Sequence, residues 1–203
     1  LLAAVPSVIY GLWGLFVFRF WVKDFIETPL STYLGFIPAF QGTPFGLDIF
    51  TAGIILAIMI IPTVSSVSRE VMMAVPNSQR EAAYSIGATR WEVIRMGVLS
   101  YARSGLFGAA ILGLGRAVGE TMAVTMVIGN TIGAAALPTS LLKGGQTMAS
   151  LIANEFNEAD PVSLHPSALI GVGLILFIFA LAINIFAQLL VRRVLKIRGG
   201  AVE

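Results

Sequence analysis

One apolar stretch decides the fold class: Ser104 to Asn130, SGLFGAAILGLGRAVGETMAVTMVIGN, in which Arg116 and Glu120 carry the only charges. At a rise of about 1.5 Å per residue, a helix of this length crosses the hydrocarbon core of a bilayer. Both charges would lie near its middle, where a charged side chain costs at least about 2.5–3.5 kcal/mol. Ionisable residues at that depth usually belong to a substrate or ion path, so Arg116 and Glu120 are candidate site residues.

A second interpretation of the two charges stays open beside the first. At a spacing of four residues they would share one helical row and neutralise each other as a structural staple. In the functional interpretation, the planar guanidinium of Arg116 would bind the oxygens of an anion in a bidentate manner, and the hydroxyls of Thr121 and Thr125 would supply further donors. Glu120 would repel an anion, so we expect it to position Arg116 or to close the path.

Composition places the chain among membrane proteins. Hydrophobic residues make up 57% of it and charged residues 12%, with a mean hydropathy of +0.87, whereas a soluble domain carries about a quarter charged residues. The net charge is only +2, and the basic residues are concentrated in two places. Their distribution therefore indicates membrane orientation and not nucleic-acid binding. The absence of cysteine excludes disulfide scaffolds and thiolate metal sites, and the single histidine makes no metal site.

Four segments are apolar enough to span a bilayer: Leu1 to Phe18, Ile49 to Val67, Ser104 to Asn130, and Ser167 to Val191. Pro62 is expected to kink the second segment. The chain opens without methionine and is apolar from its first residue, so we expect a fragment that lacks N-terminal helices.

The distribution of basic residues predicts the orientation. Arginine is concentrated in the connection from Ser68 to Arg103 and in the C-terminal tail, so both are predicted to be cytoplasmic. The tail contributes Arg192, Arg193, Lys196 and Arg198. The two remaining connections, Arg19 to Asp48 and Thr131 to Pro166, are then outside, and the second contains a predicted surface helix, Met148 to Phe156.

The cytoplasmic connection has the pattern of a helical hairpin. Ser78 with Glu81, and Thr89 with Glu92, each fit a capping box at a helix start. Gly87 between them suits a left-handed helix end, which predicts a helix from Gln79 to Ile86 and a second helix from Arg90. A short helix that exposes Ala82, Ala83 and Ile86 needs a partner surface. The alternative is a hairpin that packs on its own membrane domain.

The same connection resembles a known family. The run Glu81-Ala82-Ala83-x-x-x-Gly87, with Leu99 twelve residues after the glycine, resembles the EAA loop of membrane subunits of binding-protein-dependent ABC importers. It departs from the usual ending, Ile-x-Leu-Pro, at Gly97 and Ser100. The run from Gly115 to Asn130 is similar to phosphate-importer permeases that pair with a second, related permease. Further similarity lies in Pro6 to Gly14, Tyr33 to Pro38 and Ala153 to Phe156.

The resemblance implies an all-α, polytopic membrane protein: a type I ABC importer permease core with at least four transmembrane helices and a cytoplasmic coupling helix. Residues 1–203 would form a single transmembrane domain, with a coupling loop over 76–103. The resemblance places the chain in a prokaryotic plasma (inner) membrane, where it would move inorganic phosphate inward by alternating access. It assigns ATPase docking to Glu81, Ala82, Ala83 and Gly87, and the substrate path and its gating to Arg116 and Glu120, beside Thr121 and Thr125.

The chain lacks the parts that an ATPase or another enzyme would need. No G-x-x-x-x-G-K-[ST] loop occurs, and no nucleophile and base stand out, so we expect that the chain does not hydrolyse ATP alone. The resemblance implies that two partner ATPase subunits bind ATP and Mg. The other partners implied are a second related permease, an extracytoplasmic phosphate-binding protein and lipid, with no nucleic acid. The alternatives are a sulfate- or molybdate-type ABC permease and an ATP-independent anion channel or secondary transporter.

Overall fold

A computed structural model describes residues 5–133 and 139–196, and their regular structure is helical apart from one isolated bridge between Gly129 and Gly145. Helix α1 consists of consecutive pieces, of which the second and fourth have π hydrogen bonding: Ser7–Trp13, Gly14–Phe18, Arg19–Val22, Lys23–Glu27 and Thr28–Leu34. A 3-10 turn, Pro38–Phe40, follows. Helices α2 and α3 are Ile49–Met73 and Asn77–Ser85. Helix α4 comprises Arg90–Glu92, the π segment Val93–Leu99 and Ser100–Val118. Helices α5, α6 and α7 are Met122–Val127, Met148–Glu155 and His165–Lys196.

Three helical stretches of the described chain are long and apolar enough to cross a membrane: Ile49–Met73, Arg90–Val118 and His165–Leu189. The second and fourth predicted spans are therefore confirmed, and α2 continues through Pro62. The first predicted span falls on α1, with residues 1–4 outside the described part. The cytoplasmic helix predicted from Arg90 is continuous with the third span.

The prediction of one helix from Ser104 to Asn130 is wrong. Helix α4 ends at Val118, the chain from Gly119 to Thr121 is non-helical, and α5 begins at Met122. Glu120 therefore does not continue the helical row of Arg116. Its side chain instead accepts a hydrogen bond from the N–H of Ala123 at 3.2 Å. That acceptor satisfies a backbone donor that a new helix start leaves free, which stabilises the break.

The chain divides into two compact units, each built from two stretches of sequence. The first unit contains Leu1–Met59 and Ala117–Ala180. Its core joins α2 to α5 through Ala52, Ile55, Ala123, Val124, Val127 and Ile128. Helix α1 lies close against this core, because a Cβ at Gly14 would collide with Ile55 and Val127.

The second unit contains Ile60–Arg116 and Leu181–Glu203. Its core is Val75, Val98 and Ala102, with Val71, Met72 and Leu106 packed around them. The small residues of α4 allow close helix packing, since a Cβ at Gly105 would collide with Val71 and one at Gly113 would collide with Ile60 and Val64. These small residues of α4 thus serve helix–helix contact.

The predicted surface helix between residues 148 and 156 is confirmed as α6. The hydroxyl of Thr147 accepts from the N–H of Ser150 at 3.0 Å, and the Ser150 hydroxyl accepts from the N–H of Thr147 at 2.9 Å. The next helix, α7, is largely exposed, because only 6% of its most apolar part is buried within the described chain. Arg192, Arg193 and Lys196 lie in the last turns of α7, and Arg198 lies outside the described residues.

Candidate functional site

Arg116 lies near the end of α4 with an exposed side chain. Its Nη1 donates a hydrogen bond to Oγ1 of Thr63 on α2 at 3.1 Å, within the second unit. A guanidinium has five N–H donors, so this bond fixes one edge of the fork and leaves other donors for an anion. Sequence reasoning missed Thr63, because a hydroxyl inside an apolar helix is commonly satisfied by its own backbone.

Glu120 lies at the edge of an apolar cavity in the first unit. The cavity has a volume of about 470 Å³, and Glu120 is the one charged residue among the described residues that line it, with Gln146 and Thr147 adding polar atoms. The remaining lining is apolar, including Leu56, Val124, Leu176 and Phe179. An acidic group in apolar surroundings disfavours an anion there, so the cavity does not favour phosphate binding, and the gating role of Glu120 stays a prediction.

The hydroxyls of Thr121 and Thr125 are engaged with backbone carbonyls. Thr121 Oγ1 donates to the carbonyl of Gly119 at 3.3 Å, and Thr125 Oγ1 donates to the carbonyl of Thr121 at 2.7 Å. Each hydroxyl has one hydrogen, so neither offers a donor to a phosphate oxygen in this conformation. Their place on the substrate path stays a prediction.

The first helix of the hairpin ends in a Schellman motif. Gly87 has φ of +77°, its N–H donates to the carbonyl of Tyr84 at 2.9 Å, and the N–H of Ala88 donates to the carbonyl of Ala83 at 3.3 Å. The left-handed glycine predicted at this turn is therefore confirmed. No atom lies within 4 Å of a Cβ built at Gly87, so the requirement for glycine there comes from backbone conformation alone.

The two predicted capping boxes have different outcomes. At Thr89 the box is confirmed: its hydroxyl accepts from the N–H of Glu92, and the Glu92 carboxylate accepts from the N–H of Thr89 at 2.7 Å. The box at Ser78 is wrong, because α3 already begins at Asn77, directly after Pro76, and shows no side-chain cap. Pro76 occupies the N-cap position instead of Ser78, so the helix begins upstream of the serine.

The apolar surface of the hairpin differs from the prediction at one residue. Glu81, Ala82 and Gly87 are exposed as expected, but Ala83 is buried, with its Cβ near Gly97 of α4. A Cβ at position 97 would lie 3.1 Å from the carbonyl oxygen of Gln79, which explains a glycine at this departure from the EAA pattern. The prediction that Ala83 is exposed is therefore wrong, while its role in docking stays a prediction. The large apolar side chains exposed around the turn include Tyr84, Ile86 and Trp91.

Comparison with known proteins identifies the family. A model of the binding-protein-dependent transport system inner membrane component matches residues 1–196. The chain belongs to this family. As an inner membrane component of such a system, it has the all-α architecture and the hairpin between two spanning helices that the sequence resemblance implied.

Relatives of this inner membrane component carry a more specific name. The chain is 47% identical over 203 residues to the phosphate transport system permease protein PstC of Haemophilus influenzae, covering 98% of the chain and 63% of the relative. For PstC of Pasteurella multocida the identity is 48%, with 98% and 62% covered. For PstC 2 of Mycobacterium tuberculosis it is 46%, with 93% and 58% covered. The chain thus spans about three fifths of the length of these relatives. No solved structure matches it.

The described part of this inner membrane component contains no group of three or more His, Asp or Glu residues that could hold a metal ion.

Proposed function

We propose that this chain is the permease subunit of an ATP-driven importer that moves inorganic phosphate into the cytoplasm by alternating access. The observation that carries the proposal is the similarity to phosphate transport system permease proteins, at 46–48% identity over nearly the whole chain. Because the chain spans only part of those relatives, the substrate, the transport activity and the partners are all proposed for it.

In this mechanism Arg116 contacts the anion. The hydrogen bond from Arg116 to Thr63 holds the guanidinium plane, so that phosphate meets an oriented fork and not a freely rotating cation. The exposed side chain leaves room for the second permease subunit to complete the site. The pairing of Arg116 with Glu120 stays a prediction, and Glu120 is proposed to gate the path from its apolar cavity.

The hairpin is proposed to dock into an ATPase subunit. Exposed Tyr84, Ile86 and Trp91 form an apolar surface beside the exposed Glu81 and Ala82, which fits insertion into a groove of a partner protein. Two ATPase subunits would bind ATP and Mg and move the hairpin. This arrangement requires the hairpin and the C-terminus to be cytoplasmic, and an extracytoplasmic phosphate-binding protein to deliver substrate on the other side.

The exposed apolar surface of helix α7 supports the proposal that lipid and a second subunit surround this chain. A helix that is apolar enough to cross a membrane and largely exposed within the described chain needs lipid or another membrane subunit around it. A second related permease would cover part of this surface and give a heterodimeric membrane core.

The proposal is tested on the full-length subunit copurified with its partners and reconstituted in vesicles. Phosphate with its binding protein should stimulate ATP hydrolysis and uptake together, while sulfate and molybdate should stimulate neither. Stimulation by sulfate or molybdate instead would establish the alternative oxyanion class. Uptake that persists with a catalytically inactive ATPase partner would establish a channel or secondary transporter.

A further inference from the structure

Two carboxyl groups are fully buried where α1 meets the start of α2, in the predicted outer connection. Glu27 is 0% exposed and Asp48 is 1% exposed, and Thr51 between them is 0% exposed. Carboxyl groups are seldom buried to this degree unless they are paired. The function proposed above uses neither of them.

Hydrogen bonds join both carboxyl groups to the same turn of chain. Glu27 Oε2 accepts from the N–H of Gly46 at 2.9 Å, and its Oε1 accepts from the hydroxyl of Thr51 at 3.0 Å. Asp48 Oδ1 accepts from the N–H of Thr51 at 2.8 Å. Asp48 Oδ2 is buried without a protein donor. The arrangement therefore satisfies three carboxyl oxygens and leaves the fourth in need of a hydrogen.

Within the part of the chain that the structure describes, no cation forms an ion pair with either acid. Among the described residues, no nitrogen of Arg19, Lys23 or Lys143 lies within 4.0 Å of an oxygen of Glu27 or Asp48. The guanidinium of Arg19 stacks 4.5 Å above the ring of Phe20. The ammonium of Lys143, from the segment that pairs with the start of α2, donates to Thr139.

Burial and the neighbouring Glu27 carboxyl raise the pKa of Asp48 to about 7. Burial is the larger cause, since it disfavours the charged form, and the charge of Glu27 adds to it. Thr51 bonds to both acids, with its N–H to Asp48 and its hydroxyl to Glu27, so the two carboxyl groups lie on either side of one residue and a proton there belongs to the pair. A proton held between them also supplies the hydrogen that the fourth oxygen lacks.

We propose that Glu27 and Asp48 share one proton and form a proton-controlled latch, which ties Gly46 and the start of α2 to α1 while protonated and releases them when the proton leaves. Loss of the proton puts two uncompensated negative charges side by side in a buried site, and this repulsion separates the groups that hold Gly46 and Thr51.

The latch controls a defined piece of the surface. Thr43, Phe45 and Leu47, directly before Asp48, form one wall of a cavity of about 280 Å³ whose other wall includes Gly129 and Thr131. A Cβ at Gly46 would collide with the carbonyl of Arg19, so this turn is packed tightly on α1 while the latch is closed. Release of the turn therefore loosens the wall of that cavity.

The sign of the pH effect follows from the raised pKa of Asp48. Between about pH 4 and about pH 7 the folded protein keeps a proton that the unfolded chain loses, so the free energy of unfolding falls as pH rises through this window. Above about pH 7 both states are ionised, and this contribution changes no further. The latch in the folded protein opens around pH 7.

The test is hydrogen–deuterium exchange of residues 43–51 in the complete transporter, followed by mass spectrometry and corrected for intrinsic exchange. Between about pH 6 and about pH 8 the protection of this segment should fall roughly tenfold. In Asp48→Asn the protection should be the same at both pH values, because the amide accepts from Thr51 and donates permanently to Glu27. The matched control, Asp24→Asn, changes an exposed acid of α1 and should keep the wild-type fall.

Unchanged wild-type protection across this range would overturn the latch, as would an undiminished fall in Asp48→Asn. If Asp48→Asn does not assemble, infrared spectroscopy of the wild-type protein provides a second test. The infrared carbonyl band of a protonated carboxylic acid should disappear from the wild-type protein between about pH 6 and about pH 8. Absence of that band at about pH 6 would overturn the proposal without any variant.

Discussion

The hydrogen bond to Thr63 gives Arg116 a defined position. This contact distinguishes an arginine that only supplies charge from one whose guanidinium is held in a fixed orientation. A cation that only neutralises a nearby acid needs charge alone, whereas a fork held by a hydroxyl on another helix presents its remaining donors in a fixed plane. Geometry and charge at Arg116 should therefore have separable effects on transport.

Substitutions at Arg116 test that separation. Arg116→Gln removes the charge and should abolish phosphate uptake, while Arg116→Lys keeps the charge without the fork and should lower uptake about tenfold, equivalent to about 1.4 kcal/mol. Thr63→Val should lower uptake by a smaller factor, since a neutral hydrogen bond contributes about 0.5–1.5 kcal/mol, and Thr63→Ser serves as its control. Initial rates of labelled phosphate uptake by the assembled complex provide the measurement.

The staple interpretation makes the opposite prediction for the same assay. If the double replacement Arg116→Leu with Glu120→Leu transports phosphate at the wild-type rate in an assembled complex, the two residues are structural and the substrate-path role is wrong.

At the scale of the element, the hairpin depends on one backbone conformation. Gly87 adopts φ of +77° with open space around its Cα, so a side chain there meets backbone strain and no collision. An L-residue in this region costs roughly 1–2 kcal/mol, and a β-branched residue is the least tolerant.

Gly87→Val should therefore distort the end of α3 and reduce coupling between ATP hydrolysis and uptake, while membrane insertion stays normal. Gly87→Asn is the matched control, because asparagine tolerates the left-handed conformation, and it should keep most activity. Phosphate-stimulated ATPase activity and uptake are measured together. Normal values for both in Gly87→Val would show that this turn does not transmit motion.

The elements that sequence analysis predicted are those whose signals are local. The Thr89–Glu92 cap and the glycine at position 87 depend on residues within one turn, so pattern and structure agree. The break between α4 and α5 was missed because Gly119 to Thr121 is flanked on both sides by apolar sequence. What stabilises the break is a side chain-to-backbone bond of Glu120, which hydrophobic periodicity does not report.

At the scale of the whole molecule, composition predicted the class and the fold type, but not the contacts between distant segments. Arg116 meets Thr63, and Glu27 meets Thr51, across separations of 53 and 24 residues. Neither partner carries a local motif. The sequence alone was enough to search for metal and nucleotide motifs. The contact of Arg116 with the Thr63 hydroxyl could be identified only from the folded structure.

Topology is the prediction that concerns the whole molecule, and labelling of exposed positions tests it. Single cysteines at Ser85 and at Val162, both exposed, should react in opposite ways with an impermeant thiol reagent added outside sealed cells. Only Val162→Cys should be labelled, because the arginine-rich hairpin is predicted to be cytoplasmic. Labelling of Ser85→Cys under these conditions would reverse the orientation.

The π segment of α4, Val93–Leu99, links the face that meets α3 to the face that meets α2. Gly97 in this segment lies against the backbone of α3, and Gly105, just beyond it, lies against Val71. Removal of one residue between these glycines would rotate everything downstream by about 100° relative to the hairpin. The number of residues between Gly97 and Gly105 is thus constrained more strongly than their identity. A family alignment should show substitutions but no insertions or deletions across these positions.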